Sequence, residues 1–231
     1  MGYDFQEIHA RFIKIKENIE KSMKKVGRTI PPTIIAVTKT HGPELLQIVK
    51  MLGIRDVGEN YVQEMIKKME GNENFRWHFI GHLQRNKVKY IVGKVEIIHG
   101  VDSIKLAEEI DKRAMAKGVV QNIMLQVNHG EETKGGIKKE ELPRFVEGIN
   151  RFSFVNLVGL MAFPPYFDEP EKSRPYFREI RELLDFINKK RLYKKPLTEL
   201  SMGMSSDYMV AVEEGATYLR IGTALFGIRK K

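Results

Sequence analysis

Apolar positions along the chain switch between two periods, and the order of the switches predicts the fold. From Phe5, the residues Ile8, Phe12, Ile15, Ile19 and Met23 recur at three- and four-residue steps, which places one apolar stripe on a helix. Gly27 closes that helix, and Pro31 and Pro32 block its continuation. Short β-rich runs then alternate with longer helical patterns. The strand runs are 33–38, 56–57 with its flanks, 76–80, 95–99, 123–127, 157–161, 198–200 and 218–221. Between them, Leu106, Ala107, Ile110 and Ala114 share one face of 103–117, and Phe177, Ile180, Leu184 and Ile187 share one face of 176–190.

This order is (βα) throughout, with no Pro/Ser/Gly-rich linker. It predicts an α/β fold, a single (β/α)8 TIM barrel with an additional N-terminal helix, as one domain over residues 1–231. An open sheet built for dinucleotides would carry a glycine-rich turn after its first strand, where this chain has Thr38-Lys-Thr-His-Gly42.

Such barrels hold ligands at the C-terminal ends of their strands, with phosphate often at the last two loops. The loop after the seventh run carries Ser201, Ser205, Ser206 and Asp207, so hydroxyls and free backbone N–H groups converge there. After the eighth run, Gly222 allows close backbone approach and Thr223 adds a hydroxyl. Ile35, Val37 and Lys39 share parity, which points the Lys39 ammonium into the barrel mouth. Tyr218, Arg220 and Gly222 share parity in the same way, and the Arg220 guanidinium could meet a ring nitrogen or a carboxylate. An amine over an anchored phosphate is what a protein needs to hold pyridoxal 5'-phosphate (PLP) as a Schiff base.

Composition narrows the partners only a little. The formal charge is +9, but the lysines interleave with glutamates along helices, so no specific nucleic-acid surface is predicted. The first twenty residues contain no continuous apolar core, so neither a signal peptide nor a membrane span is expected and the chain reads as cytoplasmic. The chain has no cysteine, which removes disulfides and thiolate chemistry together. His78 and His82 have the spacing of a helical metal pair, but their run reads as a strand interrupted by Gly81, and no metal site is expected.

The stretches Ala36-Val-Thr-Lys-Thr40, Gly58-Glu-Asn-Tyr-Val-Gln-Glu64, Trp77-His-Phe-Ile-Gly-His-Leu-Gln84, Gln126-Val-Asn128 and Gly159-Leu-Met161 stand in order along the chain. So do Leu200-Ser-Met-Gly-Met-Ser-Ser-Asp207 and Arg220-Ile-Gly-Thr-Ala-Leu-Phe-Gly227. Through these segments the chain resembles the pyridoxal phosphate homeostasis protein family. The resemblance implies a PLP fold type III-like barrel, related to the N-terminal barrel of alanine racemase, with Lys39 as the Schiff-base lysine. It further implies that Ser201, Gly222 and Thr223 hold the phosphate, that Arg220 faces the pyridine nitrogen, and that Asn60 and Lys134 lie nearby. The implied role is that of a PLP carrier or buffer in vitamin B6 and amino-acid homeostasis, passing cofactor to PLP-dependent apoenzymes, without catalytic turnover. A PLP-dependent racemase is the alternative, but its second acid/base would come from an additional C-terminal domain. A monomer and a weak dimer both stay open.

Overall fold

The computed structural model describes residues 3–128 and 135–227. Its first element is α1 (Phe5–Lys25), where the Asp4 carboxylate accepts from the N–H groups of Gln6 and Glu7 and Lys24 and Lys25 close the last turn. Ile8, Ile15, Ile19 and Met23 are buried on its inner stripe, each such side chain contributing about 1.5–3 kcal/mol.

The strands are β1 (Thr33–Val37), β2 (Asp56–Glu59), β3 (Arg76–Phe79), β4 (Ile97–Val101), β5 (Gln121–Asn128), β6 (Ile137–Lys138), β7 (Val155–Ala162), β8 (Glu199–Ser201) and β9 (Tyr218–Ile221). All pair in parallel. The sheet order is β4-β3-β2-β1-β9-β8-β7-β5-β6, and a further β4–β5 pairing closes it. Eight strands thus form the ring, while the two-residue β6 hangs from β5 outside it. The helices are α2 (Leu45–Met51), α3 (Val62–Met69), α4 (Val88–Ile91), α5 (Ile104–Lys117), α6 (Leu142–Ile149), α7 (Arg174–Lys190), α8 (Tyr208–Glu213) and α9 (Thr223–Phe226). Ser103 caps α5 through Leu106 N–H, and Gly118 ends it in the left-handed region at φ 63°.

Two differences from the expected strands have simple causes. The fourth strand begins at Ile97 rather than at residue 95, because Glu96 N–H bonds the Trp77 carbonyl from outside the ladder. The strand β6 is too short to leave a periodic signal.

Alternation divides the side chains into two layers. Ala36, Val57, Trp77 and Phe79 point outward into the main core beneath the helices. Ile97, Met124 and Met161 form a smaller apolar layer inside the ring, packed against Val158, Phe163 and Tyr218. The interior also holds the buried polar side chains of Asp56, His78, His99, Ser201 and Arg220. Among the described residues, no helix is long and apolar enough to cross a membrane.

Candidate functional site

At the C-terminal ends of the strands lies a cleft of about 660 Å³. Lys39, Asn60, Arg220, Gly222 and Thr223 line it, joined by His41, Tyr166, Met204, Ser205 and Ser206. Five of the seven residues singled out from sequence therefore share one cavity. Lys134 lies outside the described residues. Ser201 does not line the cavity: it is fully buried, with its hydroxyl bound to His99 and Arg220. The cause is strand stagger. Ser201 pairs with Tyr218, four positions before Gly222 on the neighbouring strand, so the last residue of β8 sits well beneath the mouth that Gly222 reaches.

Lys39 follows β1 and is exposed in the cleft. Its neighbour Thr40 has φ 65°, a conformation that costs a β-branched residue about 1–3 kcal/mol. Asn60 follows β2 and keeps a buried Oδ1 without a partner among the described residues.

Arg220 is 3% exposed on β9. Its Nη1 donates to the Ser201 carbonyl at 2.6 Å and to Ser201 Oγ at 2.8 Å, and Nη2 donates to the Ala162 carbonyl at 2.8 Å. The guanidinium lies over the Phe163 ring, 4.3 Å from its centroid. Burial pushes its pKa down to about 10, against a pull upward from Asp207, and it stays charged at neutral pH. Its Nε is buried and has no partner among the described residues. A guanidinium carries only donors, so the missing partner must be an acceptor.

Behind Arg220 a chain of contacts crosses the barrel interior. Ser201 Oγ meets His99 Nδ1 at 2.9 Å, His99 Nε2 meets His78 Nδ1 at 3.0 Å, and His78 Nε2 meets Asp56 Oδ1 at 2.9 Å. Arg76 ends the chain with bonds of 2.9 and 2.6 Å to the two Asp56 oxygens. Burial pushes the Asp56 carboxyl up, but hydrogen bonds from His78 and Arg76 outweigh it and hold the group below its ordinary value. Burial, then repulsion from His78 and Arg220, pushes His99 well below its ordinary range, so this ring is neutral. A neutral imidazole donates at one ring nitrogen and accepts at the other, so His99 meets both Ser201 and His78.

Opposite Arg220, the loops behind β8 and β9 interlock. Gly203 adopts φ 87°, where a Cβ would come within 2.5 Å of Ala211, so glycine is required for that turn. Its carbonyl accepts from Arg220 N–H at 3.0 Å. Ser205 Oγ accepts from the N–H groups of Gly222 at 3.3 Å and Ala224 at 3.0 Å. An oxygen already occupies this backbone nest, and a phosphate oxygen has the same acceptor chemistry.

The sequence reading missed Asp56, His99, Glu59 and Lys68. Parity could have flagged the first two, since Asp56 shares its face with Gly58, which meets Ile35 and Ile80, and His99 shares its face with Ile97 of the inner layer. His82 serves no part of the cleft: its side chain is exposed, 3.4 Å from Asp102. A wider hollow of about 850 Å³ near the end of α1 is lined by charges that pair with one another, with Arg174 bound to Glu171, Glu213 and Glu214.

A closed parallel barrel with a lysine, a buried arginine and a backbone nest at its C-terminal mouth defines the class. The family model described as the alanine racemase N-terminal domain matches residues 13–230. The chain belongs to the pyridoxal phosphate homeostasis protein family. It is 46% identical over 224 residues to the pyridoxal phosphate homeostasis protein of Aquifex aeolicus, covering 95% of this chain and 97% of that one. It is 34% identical to the human protein of the same name, covering 93% and 84%. The structure of PipY from Synechococcus elongatus with PLP bound matches with a TM-score of 0.82 and 32% identity, over 95% of this chain and all of that one. Alanine racemase of Clostridium difficile shares the fold at a TM-score of 0.73 and 16% identity, and this chain covers 58% of it.

Proposed function

We propose that this chain binds PLP at the C-terminal mouth of the barrel, covalently on Lys39, and carries or buffers it without catalysing turnover. The observation that carries the reading is the buried, unpartnered Nε of Arg220 in the same cleft as Lys39 and the Gly222–Ala224 nest. When bound, PLP supplies an aldehyde that condenses with a lysine amine and releases water.

Each protein group then has a task. The Lys39 amine is the attachment point. Gly222, Thr223 and Ser205 offer N–H and hydroxyl groups to the phosphate, with Ser206 beside them. Asn60 offers its free Oδ1. Arg220 donates through Nε to the pyridine nitrogen, and since it has no lone pair to accept with, it favours an unprotonated ring nitrogen. That leaves the ring a weak electron sink, which suits storage and delivery to PLP-dependent apoenzymes better than carbanion chemistry. Ser201 supports this arginine from below instead of holding phosphate.

The test is visible absorbance of the purified protein, wild type beside Lys39→Ala, before and after borohydride reduction with peptide mass analysis. A coloured wild type carrying pyridoxyl mass on Lys39, a colourless variant, and no turnover of amino acids support the reading. A wild type that stays colourless with added PLP overturns it, and turnover at an enzyme-like rate replaces the carrier with a racemase-type enzyme.

A further inference from the structure

Beneath the β1 end of the cleft lies an ion cluster that the proposed function does not use. Lys68 on α3 has a side chain only 4% exposed, and Glu59 at the end of β2 is fully buried. The Lys68 ammonium spends its three N–H bonds on the Thr38 carbonyl at 2.6 Å, Glu59 Oε1 at 2.7 Å and Glu64 Oε1 at 2.8 Å. Thr38 Oγ1 donates to Glu59 Oε1 at 2.6 Å, and Thr40 N–H donates to Glu64 Oε1 at 2.5 Å.

The placement of these bonds matters more than their number. The Thr38 carbonyl belongs to the peptide group before Lys39, and the Thr40 N–H belongs to the peptide group after it. One cluster therefore grips the backbone on both sides of the Lys39 Cα while touching none of its side chain. It also accounts for the left-handed Thr40: that residue keeps φ 65° because its N–H is held by Glu64.

We infer that Lys68, Glu59 and Glu64 are positioning residues for Lys39, a backbone clamp that aims its amine at the cofactor's aldehyde. The inference rests on Lys39 being the attachment point. A misplaced amine loses reactivity steeply, about a hundredfold for 1 Å. The phosphate nest and Arg220 lie on β8, β9 and their loops, and do not depend on the clamp. Loss of the clamp should therefore slow covalent attachment and spare non-covalent binding.

The experiment uses Glu64→Ala, which removes the grip on Thr40 and leaves Lys68 paired with Glu59, together with Lys68→Met/Glu59→Gln, which removes the buried charges as a pair. Covalent loading by PLP is followed as absorbance trapped by borohydride. Affinity for pyridoxine 5'-phosphate, which lacks the aldehyde, is measured in parallel. The clamp predicts loading slowed by about 10-fold or more in both variants with analogue affinity changed by less than about 2-fold, and recovery of most of the rate in Glu64→Gln, which keeps an acceptor for Thr40. Unchanged loading, or loading that falls in step with analogue affinity, overturns it. Amide exchange in the unliganded protein provides a reading that needs no cofactor: Thr40 N–H should exchange about 10- to 100-fold faster in Glu64→Ala than in wild type. A wild type that fails to load PLP sinks the attachment point, and the positioning role with it, whereas a loading wild type with equal Thr40 exchange in both proteins sinks the clamp alone.

Discussion

The two walls of the cleft are supported by different chemistry. On the β1 side, Lys39 is held through its backbone by charged groups, and its own side chain is free in the cavity. On the β9 side, Arg220 is held through its guanidinium by carbonyls and a hydroxyl, backed by a neutral imidazole, and only Nε is left over. The contrast matches the roles proposed for the two residues. A nucleophile needs an unencumbered amine, so positioning has to act on its peptide groups. A donor that must not move needs its side chain fixed, so the remaining N–H bonds are consumed by the protein.

The sharpest way to break this comparison is to remove one member from each wall. Lys68→Met alone leaves Glu59 buried without its cation, and stability measured by urea unfolding should fall by about 3–5 kcal/mol. His99→Leu leaves Ser201 and His78 with unmet bonds but no stranded charge, and should cost about 2–3 kcal/mol in the same assay. If the His99 variant costs more than the Lys68 variant, the division into a wall held by a buried ion pair and a wall whose arginine is held by neutral partners fails.

Acid titration sharpens the comparison, because β2 contributes one carboxylate to each wall and the two shift in opposite directions. Asp56 lies below its ordinary value, so its contribution to stability is present above about pH 4 and is lost as pH falls through its folded value. Burial raises Glu59 above its ordinary value despite Lys68 and Thr38, so its contribution is complete below about pH 4 and is lost as pH rises through its folded value. Asp56→Asn should flatten the acid limb of the stability profile. Glu59→Gln should remove part of the decline on the rising side. Nitrogen-15 spectra of the histidine rings give a further check, with His99 expected to stay neutral through the acid titration that protonates an ordinary histidine. The smallest effect is expected for Thr40→Gly, where relief of the left-handed strain and the added freedom of glycine nearly cancel, changing stability by about 1 kcal/mol or less.

How much of this could be read from the residues depended on whether a feature is periodic. Eight alternating units sufficed for the barrel, and parity alone placed Lys39 and Arg220 at one mouth. Ser201 was read from its place at the start of a loop, and that says nothing of its height, which depends on stagger between strands. Lys68 was hidden for another reason. It sits three positions from the buried Met65 on a helix rich in charged residues, where a lysine is ordinarily solvated, and only the fold brings Thr38 and Glu59 beside it. His99 was read only as the end of a strand run, and its partners come from β3 and from the end of β8.

The Ser205 hydroxyl in the Gly222–Ala224 nest bears on the vacant protein as much as on a loaded one. A container that must be emptied as readily as it is filled faces a difficulty at the moment of discharge, when departing anionic oxygens would strand the donors that held them. Here a resident oxygen already serves those two amides. In the proposed carrier role, unloading would exchange one acceptor for another, and the emptied barrel would wait at little cost for its next cargo.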